Sequence, residues 1–245
     1  MDHIPFYRIL PGSKNAVLMI HGIAGTPAQF QDLIPMVPPD WSIYDILLDG
    51  HCARVEDFGT SSMKKWKAQA AAQVEEMLQN HERIVLVGHS MGTLFSIRAG
   101  IEHPDRVAGL FLIAVPLRPW VRLSTVFTCL RVMWGDLRPD DKAGWAMRNA
   151  TSIRMTRKFW KYAGWIPRLL ELLAECAQIR RLLPQLEVPT LAFQSRIDEL
   201  VSMRSVKHLR TNPNIRITVL EDSGHFAYGP EDKKRMQEAF VRFLT

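Results

Sequence analysis

The stretch Gly88-His89-Ser90-Met91-Gly92 follows the apolar run Ile84-Val85-Leu86-Val87 and opens a helical pattern that extends to Glu102. A serine between two glycines, after a strand and before a helix, has the G-x-S-x-G pattern of a nucleophilic serine. The glycines lack the Cβ atoms that would collide in such a sharp turn, and the helix amino terminus favours negative charge. The stretch therefore predicts an α/β sheet in which Ser90 is exposed at the end of a buried strand.

Short apolar runs of the same kind alternate with helical patterns along most of the chain. The runs are continuous rather than alternating, as in parallel strands that helices cover on both faces. The predicted strands are residues 16–20, 43–48, 84–87, 110–115, 190–193 and 215–220, and the predicted helices are residues 63–79, 91–102 and 231–243. The fold class is therefore α/β, with a mostly parallel, doubly wound sheet.

One region, from Pro116 to about Val188, interrupts this alternation because it contains no strand-like run. Residues 165–183 within it have a strongly helix-forming composition. We therefore expect an α/β core made of residues 1–116 and 188–245. Residues 117–187, called the cap segment below, are expected to form a helical insertion over the sheet.

Bulk composition places the chain among ordinary globular proteins. Of its 245 residues, 47% are apolar and 23% are charged. The start Met1-Asp2-His3-Ile4-Pro5 lacks a secretory signal, and no apolar run reaches the roughly 20 residues that cross a bilayer. The three cysteines have no metal-binding spacing. We expect a cytoplasmic protein with free thiols and without a metal.

Two residues late in the chain could activate the serine. A serine hydroxyl needs a base that a third group orients, and in this kind of sheet the chain order is serine, acid, histidine. Asp198 and His225 each follow a late predicted strand, at the carboxyl ends where such sheets place their sites. We predict Ser90 as nucleophile, His225 as base and Asp198 as its partner. Glu199 and Asp222 remain alternatives for the acid, although Asp222 is better interpreted as a turn residue.

The negative oxygen of an acyl-transfer intermediate needs at least two hydrogen-bond donors. One is expected to be the backbone N–H of Met91, directly after the nucleophile. The other is expected from the glycine-rich residues 21–27, which follow the first predicted strand. Within them Ile23 is the predicted second donor.

Five stretches resemble the bacterial carboxylesterase and monoacylglycerol lipase group of α/β-hydrolases. They are Leu18-Met19-Ile20-His21-Gly22-Ile23-Ala24-Gly25-Thr26-Pro27, Leu48-Asp49-Gly50-His51, Gly88-His89-Ser90-Met91-Gly92, Asp198-Glu199-Leu200-Val201 and Ser223-Gly224-His225. The resemblance covers nearly the whole chain except the cap segment. It implies eight strands, a helical cap after the sixth, no metal or organic cofactor, and hydrolysis of short to medium acyl esters or monoglycerides. It also implies the same triad and oxyanion donors.

Other functions use the same constellation. Thioesterases, serine aminopeptidases and acyltransferases are alternatives within enzymes, and a non-catalytic ligand-binding receptor on a hydrolase fold is an alternative outside them. Such receptors usually lose a catalytic residue, whereas none is missing here. The stretch Gly50-His51-Cys52 departs from the group, whose members usually continue with a glycine. Cys52 is not expected to be the nucleophile, because no orienting acid accompanies it.

The cap segment carries most of the positive charge. Between Leu117 and Gln185 there are 13 basic and 5 acidic residues, and five of the seven tryptophans lie there. No nucleic-acid-binding motif accompanies the charge, so no nucleic-acid partner is expected. The basic residues form a solvated face, contact an anionic membrane surface weakly, or serve acidic substrates. If helical, the segment around Phe159 would carry a basic stripe made of Arg154, Arg157, Lys158 and Lys161.

An insertion between two late strands emerges at their carboxyl ends, on the side of Ser90. Apolar residues of the cap segment are therefore expected to line an acyl pocket. We predict Phe127, Trp134 and Trp145 as substrate-binding residues, for a small-molecule ester or monoglyceride.

Overall fold

The computed structural model describes residues 4–245, and within them seven strands form one sheet. The strands are β1 (Phe6–Arg8), β2 (Asn15–Ile20), β3 (Ser42–Ile46), β4 (Arg83–His89), β5 (Val107–Ile113), β6 (Thr190–Ser195) and β7 (Ile215–Leu220). Their order across the sheet is β1-β3-β2-β4-β5-β6-β7, and only β1 runs antiparallel to its neighbour. The predicted α/β fold with a mostly parallel sheet is confirmed. Residues 1–3 lie outside this description. They belong to the predicted core and to the amino-terminal stretch from which a cytoplasmic location was expected.

Helices cover both faces of the sheet. They are α1 (Val55–Thr60), α2 (Met63–Asn80), α3 (Met91–Glu102), α4 (Leu123–Trp134), α5 (Lys142–Ala150), α6 (Trp165–Leu182), α7 (Arg204–Leu209) and α8 (Pro230–Leu244). In β4, Ile84 and Leu86 belong to one apolar cluster while Val85 and Val87 belong to the other. Burial on both faces explains why the strand sequences are continuously apolar. None of the helices in residues 4–245 has the length and apolar composition needed to cross a membrane.

The resemblance implies eight strands with the cap after the sixth, and this count is wrong for the part of the chain that the structure describes. There the cap segment follows β5, the fifth of seven strands. At the amino-terminal edge of the sheet, β1 is followed by a turn in which Gly12 adopts a φ of 77°. The three-residue strand β1 pairs with β3 and forms this edge of the sheet.

The cap segment contains α4, α5 and α6, and α6 is tied to the core by an ion cluster. Glu175 of α6 is 3% exposed and accepts hydrogen bonds from Arg98 at 2.6 Å and from Lys67 at 2.8 Å. These two cations lie on α3 and α2. A buried carboxylate that lost such partners would be strongly destabilising, so the cluster fixes the position of α6.

The predicted basic stripe around Phe159 is not formed, because this part of the chain is not an α-helix. Its regular structure is a short 3₁₀ turn, Phe159–Tyr162. Tertiary contacts determine the local path: Lys161 pairs with Glu56, and Arg157 donates to the carbonyl oxygen of Trp134. Helical spacing therefore does not group these cations on one face.

Asp45 is a buried carboxyl in β3. Its residue is 1% exposed, and its Oδ1 has no hydrogen-bond partner among residues 4–245. Burial raises the pKa of Asp45 from its ordinary 3.8 to about 9. Between these values the unfolded chain holds fewer protons than the folded chain, so the free energy of unfolding falls as the pH rises. The free energy of unfolding is therefore highest below the ordinary pKa of 3.8 and decreases as the pH rises towards the folded-state pKa of about 9.

We expect Asp45→Asn to flatten this pH dependence, because the amide has the same shape and cannot ionise. Between about pH 4 and pH 8 the stability of the variant relative to the wild type should rise by roughly 1.4 kcal/mol per pH unit, and the two curves should converge near pH ~4. Urea denaturation across this pH range measures both quantities. Asp40→Asn, at an exposed aspartate, is the control and should leave the curve unchanged. Parallel curves for Asp45→Asn and the wild type would contradict the prediction.

Candidate active site

Ser90 occupies a strained turn between β4 and α3. Its φ and ψ are 50° and −118°, a conformation that residues other than glycine rarely adopt. A Cβ at Gly92 would overlap the carbonyl oxygen of Ile20, and one at Gly88 would lie 2.7 Å from the backbone nitrogen of Thr93. Both glycines of the motif are therefore required by close backbone packing. Such strain persists only where the surroundings fix it, and it often marks a functional residue.

The two predicted oxyanion donors lie on segments that meet at Ser90. Met91 is the first residue of α3, where backbone N–H groups have no partner within the helix. Residues 21–26, called the β2 loop below, pass directly beside the serine, since a Cβ at Gly22 would lie 3.0 Å from the Cβ of Ser90. Ile23 follows in this loop. The structure thus brings both segments together, and the donor roles of Ile23 and Met91 stay predictions.

His225 and Asp198 form a buried hydrogen-bonded pair. Nδ1 of His225 lies 2.9 Å from Oδ2 and 3.1 Å from Oδ1 of Asp198, and both residues are less than 5% exposed. Oδ1 also accepts the backbone N–H groups of Leu200 and Val201, each at 2.7 Å. Burial by itself would raise the pKa of Asp198, but the charge of His225 and these hydrogen bonds outweigh it and lower the pKa. An ionised Asp198 holds the proton of His225 on Nδ1 and leaves Nε2 as an acceptor.

Glu199, an alternative for the acid, contacts the backbone of His225 and not its ring. Its Oε2 accepts the N–H of His225 at 2.6 Å. Asp222 donates its backbone N–H to Asp232, which also accepts the hydroxyl of Ser223 at 2.7 Å. Glu199 and Asp232 therefore hold the turn that presents His225. No local pattern in the sequence indicates these contacts, because each joins the turn before His225 to a different segment of the fold.

His89 is a further neighbour of the pair that sequence reasoning missed. Its ring centroid lies 5.0 Å from that of His225. Burial, together with the nearby charge of His225, lowers the pKa of His89 to about 3. His89 is therefore neutral at neutral pH and does not compete with His225 for a proton. Its position inside the glycine–serine motif was the available signal.

A cavity of about 230 Å³ opens beside His225. It lies between the residues after the β2 loop, α5 and α8, and α5 contributes Ala146, Asn149 and Ala150. The cap segment thus covers the candidate site through α5.

None of the three predicted substrate-binding residues lines this cavity in the described part of the chain. Phe127 is 65% exposed, because α4 buries its opposite face through Thr125, Thr128 and Val132. Trp145 donates its Nε1 hydrogen to the carbonyl oxygen of Arg138, and Trp134 lines a separate groove. Their role stays a prediction.

Cys52 and His51 are adjacent in sequence but do not form a nucleophile and base. Both ring nitrogens of His51 face backbone groups, namely the N–H of Ala24 and the carbonyl oxygens of the preceding turn. Burial raises the pKa of Cys52, which favours the thiol over the reactive thiolate. Among residues 4–245, no group of three or more His, Cys, Asp and Glu side chains could hold a metal ion.

Comparison with known proteins gives a family match over most of the chain. The model of the family described as serine aminopeptidase, S33, matches residues 11–225. A pimeloyl-[acyl-carrier protein] methyl ester esterase of Neisseria meningitidis serogroup B / serotype 15 (strain H44/76) is 25% identical over 243 residues, covering 89% of this chain and 88% of that protein. A protein of the same name from Legionella pneumophila (strain Corby) is 22% identical over 232 residues, covering 89% of this chain and 90% of that protein.

Solved structures share the architecture along the whole chain. A structure from the work on LipS and LipT, two metagenome-derived lipolytic enzymes, has a TM-score of 0.73 and 23% identity, and covers 98% of this chain and 97% of its own. The monoacylglycerol lipase of Paleococcus ferrophilus has a TM-score of 0.70 and 16% identity, covering 100% of this chain and 98% of its own. At these identities the likeness shows a common fold.

Proposed function

Because the chain belongs to the serine aminopeptidase S33 family of α/β-hydrolases, we propose that it hydrolyses carboxylic esters through an acyl-enzyme on Ser90. Membership of this family confirms the resemblance to α/β-hydrolases and makes the chain a member of a hydrolase family. The ester substrate, the roles of individual residues and the cytoplasmic location are parts of the proposal. So is a weak contact of the cap segment with anionic lipid.

The observation that carries the proposal is the buried pair of His225 and Asp198 at the sheet edge where Ser90 lies. With its Nδ1 proton held by Asp198, His225 takes the hydroxyl proton of Ser90 on Nε2 as the serine oxygen attacks the ester carbonyl. Backbone N–H groups of Ile23 and Met91 stabilise the oxyanion. His225 then protonates the leaving alcohol, and water activated by the same ring releases the acid.

Esters are favoured over peptides with a free amino terminus by the charges around the cavity. An aminopeptidase needs a carboxylate that pairs with the substrate ammonium. Among the described residues that line the cavity, Asp32 is the only carboxylate, and Lys233 pairs with it at 2.7 Å. The neutral lining therefore supports an ester or thioester substrate over an aminopeptide.

The size and lining of the cavity support a short acyl group. Its walls include apolar side chains: Leu33, Ile113, Ala146, Phe226 and Met236. At about 230 Å³ it is smaller than the roughly 300–1,000 Å³ typical of pockets for drug-sized ligands. We propose it as the acyl pocket, in place of a pocket made by Phe127, Trp134 and Trp145.

A second candidate substrate is an ester that carries a negative charge. A groove of about 770 Å³ beside the cap segment is lined by Arg148, Arg154 and Arg157 and by no carboxylate of the described residues. Its lining includes Ser152, whose backbone N–H donates to the carbonyl oxygen of Ala24 in the β2 loop. The curated relatives are named as esterases of a methyl ester on an acyl group bound to a carrier protein, so a substrate larger than a simple ester has a precedent among them.

Nitrophenyl esters of increasing chain length test the proposal. We expect kcat/KM to rise about fourfold per methylene, from ~0.8 kcal/mol of burial each, until the cavity is full. Ala146→Phe should shorten the preferred chain because Ala146 lines the cavity, whereas Ala143→Phe, at an exposed position of α5, should leave it unchanged. Faster turnover of a thioester or an aminoacyl nitroanilide would reject the ester assignment. A preference for monoesters of dicarboxylic acids would select the charged substrate.

A further inference from the structure

Two buried histidines outside the proposed triad join the loops that follow β2 and β3. His51 lies in residues 47–54, called the β3 loop below, and is 5% exposed. Its Nδ1 lies 3.2 Å from the carbonyl oxygens of Leu48 and Asp49, and its Nε2 lies 3.1 Å from the backbone nitrogen of Ala24. A proton on Nδ1 satisfies all these contacts, with Nε2 accepting the N–H of Ala24.

His21 makes the reciprocal contact from the β2 loop. Its Nε2 accepts the N–H of Leu48 at 3.1 Å, and its Nδ1 lies 2.8 Å from the carbonyl oxygen of Gly22. The two rings contact each other edge to face, with centroids 4.7 Å apart. Each loop therefore supplies one histidine that accepts a backbone N–H of the other loop.

Ala24, the residue that His51 holds, is strained. Its φ is 53°, in the left-handed region that favours glycine. The N–H of Ala24 is fixed by His51, and its carbonyl oxygen accepts the N–H of Ser152 in the cap segment at 3.1 Å. A strained residue keeps its conformation only when its surroundings determine it. Here hydrogen bonds fix both the N–H and the carbonyl oxygen of Ala24. The neighbouring residue is Ile23.

We propose that His51 is a positioning residue that holds Ala24, and through it the N–H of Ile23, in the orientation needed to stabilise the oxyanion. This inference rests on the proposed function, because it assigns Ile23 an oxyanion role. His51 acts through the backbone and touches no reacting atom.

The protonation state of His51 agrees with this role. Burial lowers the pKa of His51 to about 4, although hydrogen bonds to Asp49 and Leu48 and the charge of Asp49 oppose the shift. Burial, followed by the neighbouring His51, also lowers the pKa of His21 well below its ordinary value. Both rings are therefore neutral at neutral pH, and Nε2 of His51 remains an acceptor.

Asparagine and glutamine at position 51 separate the two contacts of the ring. An asparagine amide can reach the acceptors of Nδ1 but not Ala24, whereas the longer glutamine can place an oxygen near the site of Nε2. We expect His51→Asn to lower kcat by about tenfold to hundredfold, because a displaced oxyanion donor acts mainly in the transition state. KM should change by less than about twofold, and His51→Gln should restore most of kcat.

His81 provides a matched control. It is also 5% exposed, and its two ring nitrogens contact the hydroxyl of Tyr44 at 3.1 Å and the carbonyl oxygen of Ser13 at 2.7 Å. It precedes the amino end of β4, whereas Ser90 follows the carboxyl end of the same strand. His81→Asn should lower the melting temperature as His51→Asn does, but leave kcat unchanged.

Kinetics on one nitrophenyl ester, with melting temperatures for every variant, decide the inference. An unchanged kcat in His51→Asn, a glutamine variant as impaired as the asparagine variant, or an equal loss in His81→Asn would each overturn it. His51→Leu is a second variant without an acceptor, for use if the asparagine variant does not fold. Ser90→Ala tests the proposed function separately: if that variant is inactive while His51→Asn keeps full kcat, only the positioning role fails.

Discussion

Ser90→Ala is expected to lower kcat for ester hydrolysis by about a millionfold while the protein remains folded. The loss follows from removal of the nucleophile, since without the serine oxygen no acyl-enzyme can form. The fold should survive because alanine tolerates the backbone conformation of this turn. Ala24 and Ala114 already adopt positive φ angles of 53° and 57° in the same protein.

Steady-state kinetics and circular dichroism on the purified variant test this result. Ser96→Ala is the matched control, since Ser96 is a buried serine of α3 whose hydroxyl donates to the carbonyl oxygen of Gly92 at 3.1 Å. The control should keep the wild-type kcat. Residual activity above about a tenth of wild type in Ser90→Ala would exclude Ser90 as the nucleophile.

His225→Ala should match the loss in Ser90→Ala, because the serine and its base act as one unit. Asp198→Asn should cost less, about 10⁴-fold, because the acid fixes the tautomer of the ring and stabilises its charged form without moving a proton itself. An asparagine can present its NH₂ group to Nδ1 of His225, which places the histidine proton on the wrong nitrogen. Removing both Ser90 and His225 should cause no further loss.

Glu199→Gln tests whether Asp198 or its neighbour Glu199 is the acid that orients His225. A glutamine keeps an oxygen that accepts the N–H of His225, so we expect a loss of less than about tenfold. Comparing kcat/KM of Asp198→Asn and Glu199→Gln on one ester is sufficient. A larger loss in Glu199→Gln would transfer the acid role to Glu199 and leave the geometry of Asp198 unexplained.

Strands β2 to β6 could be predicted because they are buried along most of their length and are therefore largely apolar. β1 was missed, since it is a three-residue edge strand with exposed side chains and carries no such signal. Backbone conformation also determines where a strand ends, and residue composition does not indicate this. The apolar run continues to Val115, but β5 ends at Ile113 because Ala114 turns into a left-handed conformation.

Some residues of the candidate site could also be predicted from sequence patterns, whereas others are indicated only by tertiary contacts. Ser90 was predicted from a local motif, and His225 and Asp198 were predicted from chain order at strand ends. The backbone contacts of Glu199, His51 and Asp232 join different loops and helices, so no local pattern indicates them. Phe127 lies outside the cavity because α4 turns it outward, and an apolar residue on a helix does not reveal which face docks on the core.

The order of the strands has a consequence for the synthesis of the protein. The β2 loop, the turn after β4 and the residues after β6 and β7 meet at one edge of the sheet, and β6 pairs with β5 only after the cap segment has been passed. The nascent chain therefore cannot assemble its candidate site until the residues after β7, including His225, have left the ribosome. A product truncated before His225 lacks the histidine of the candidate site.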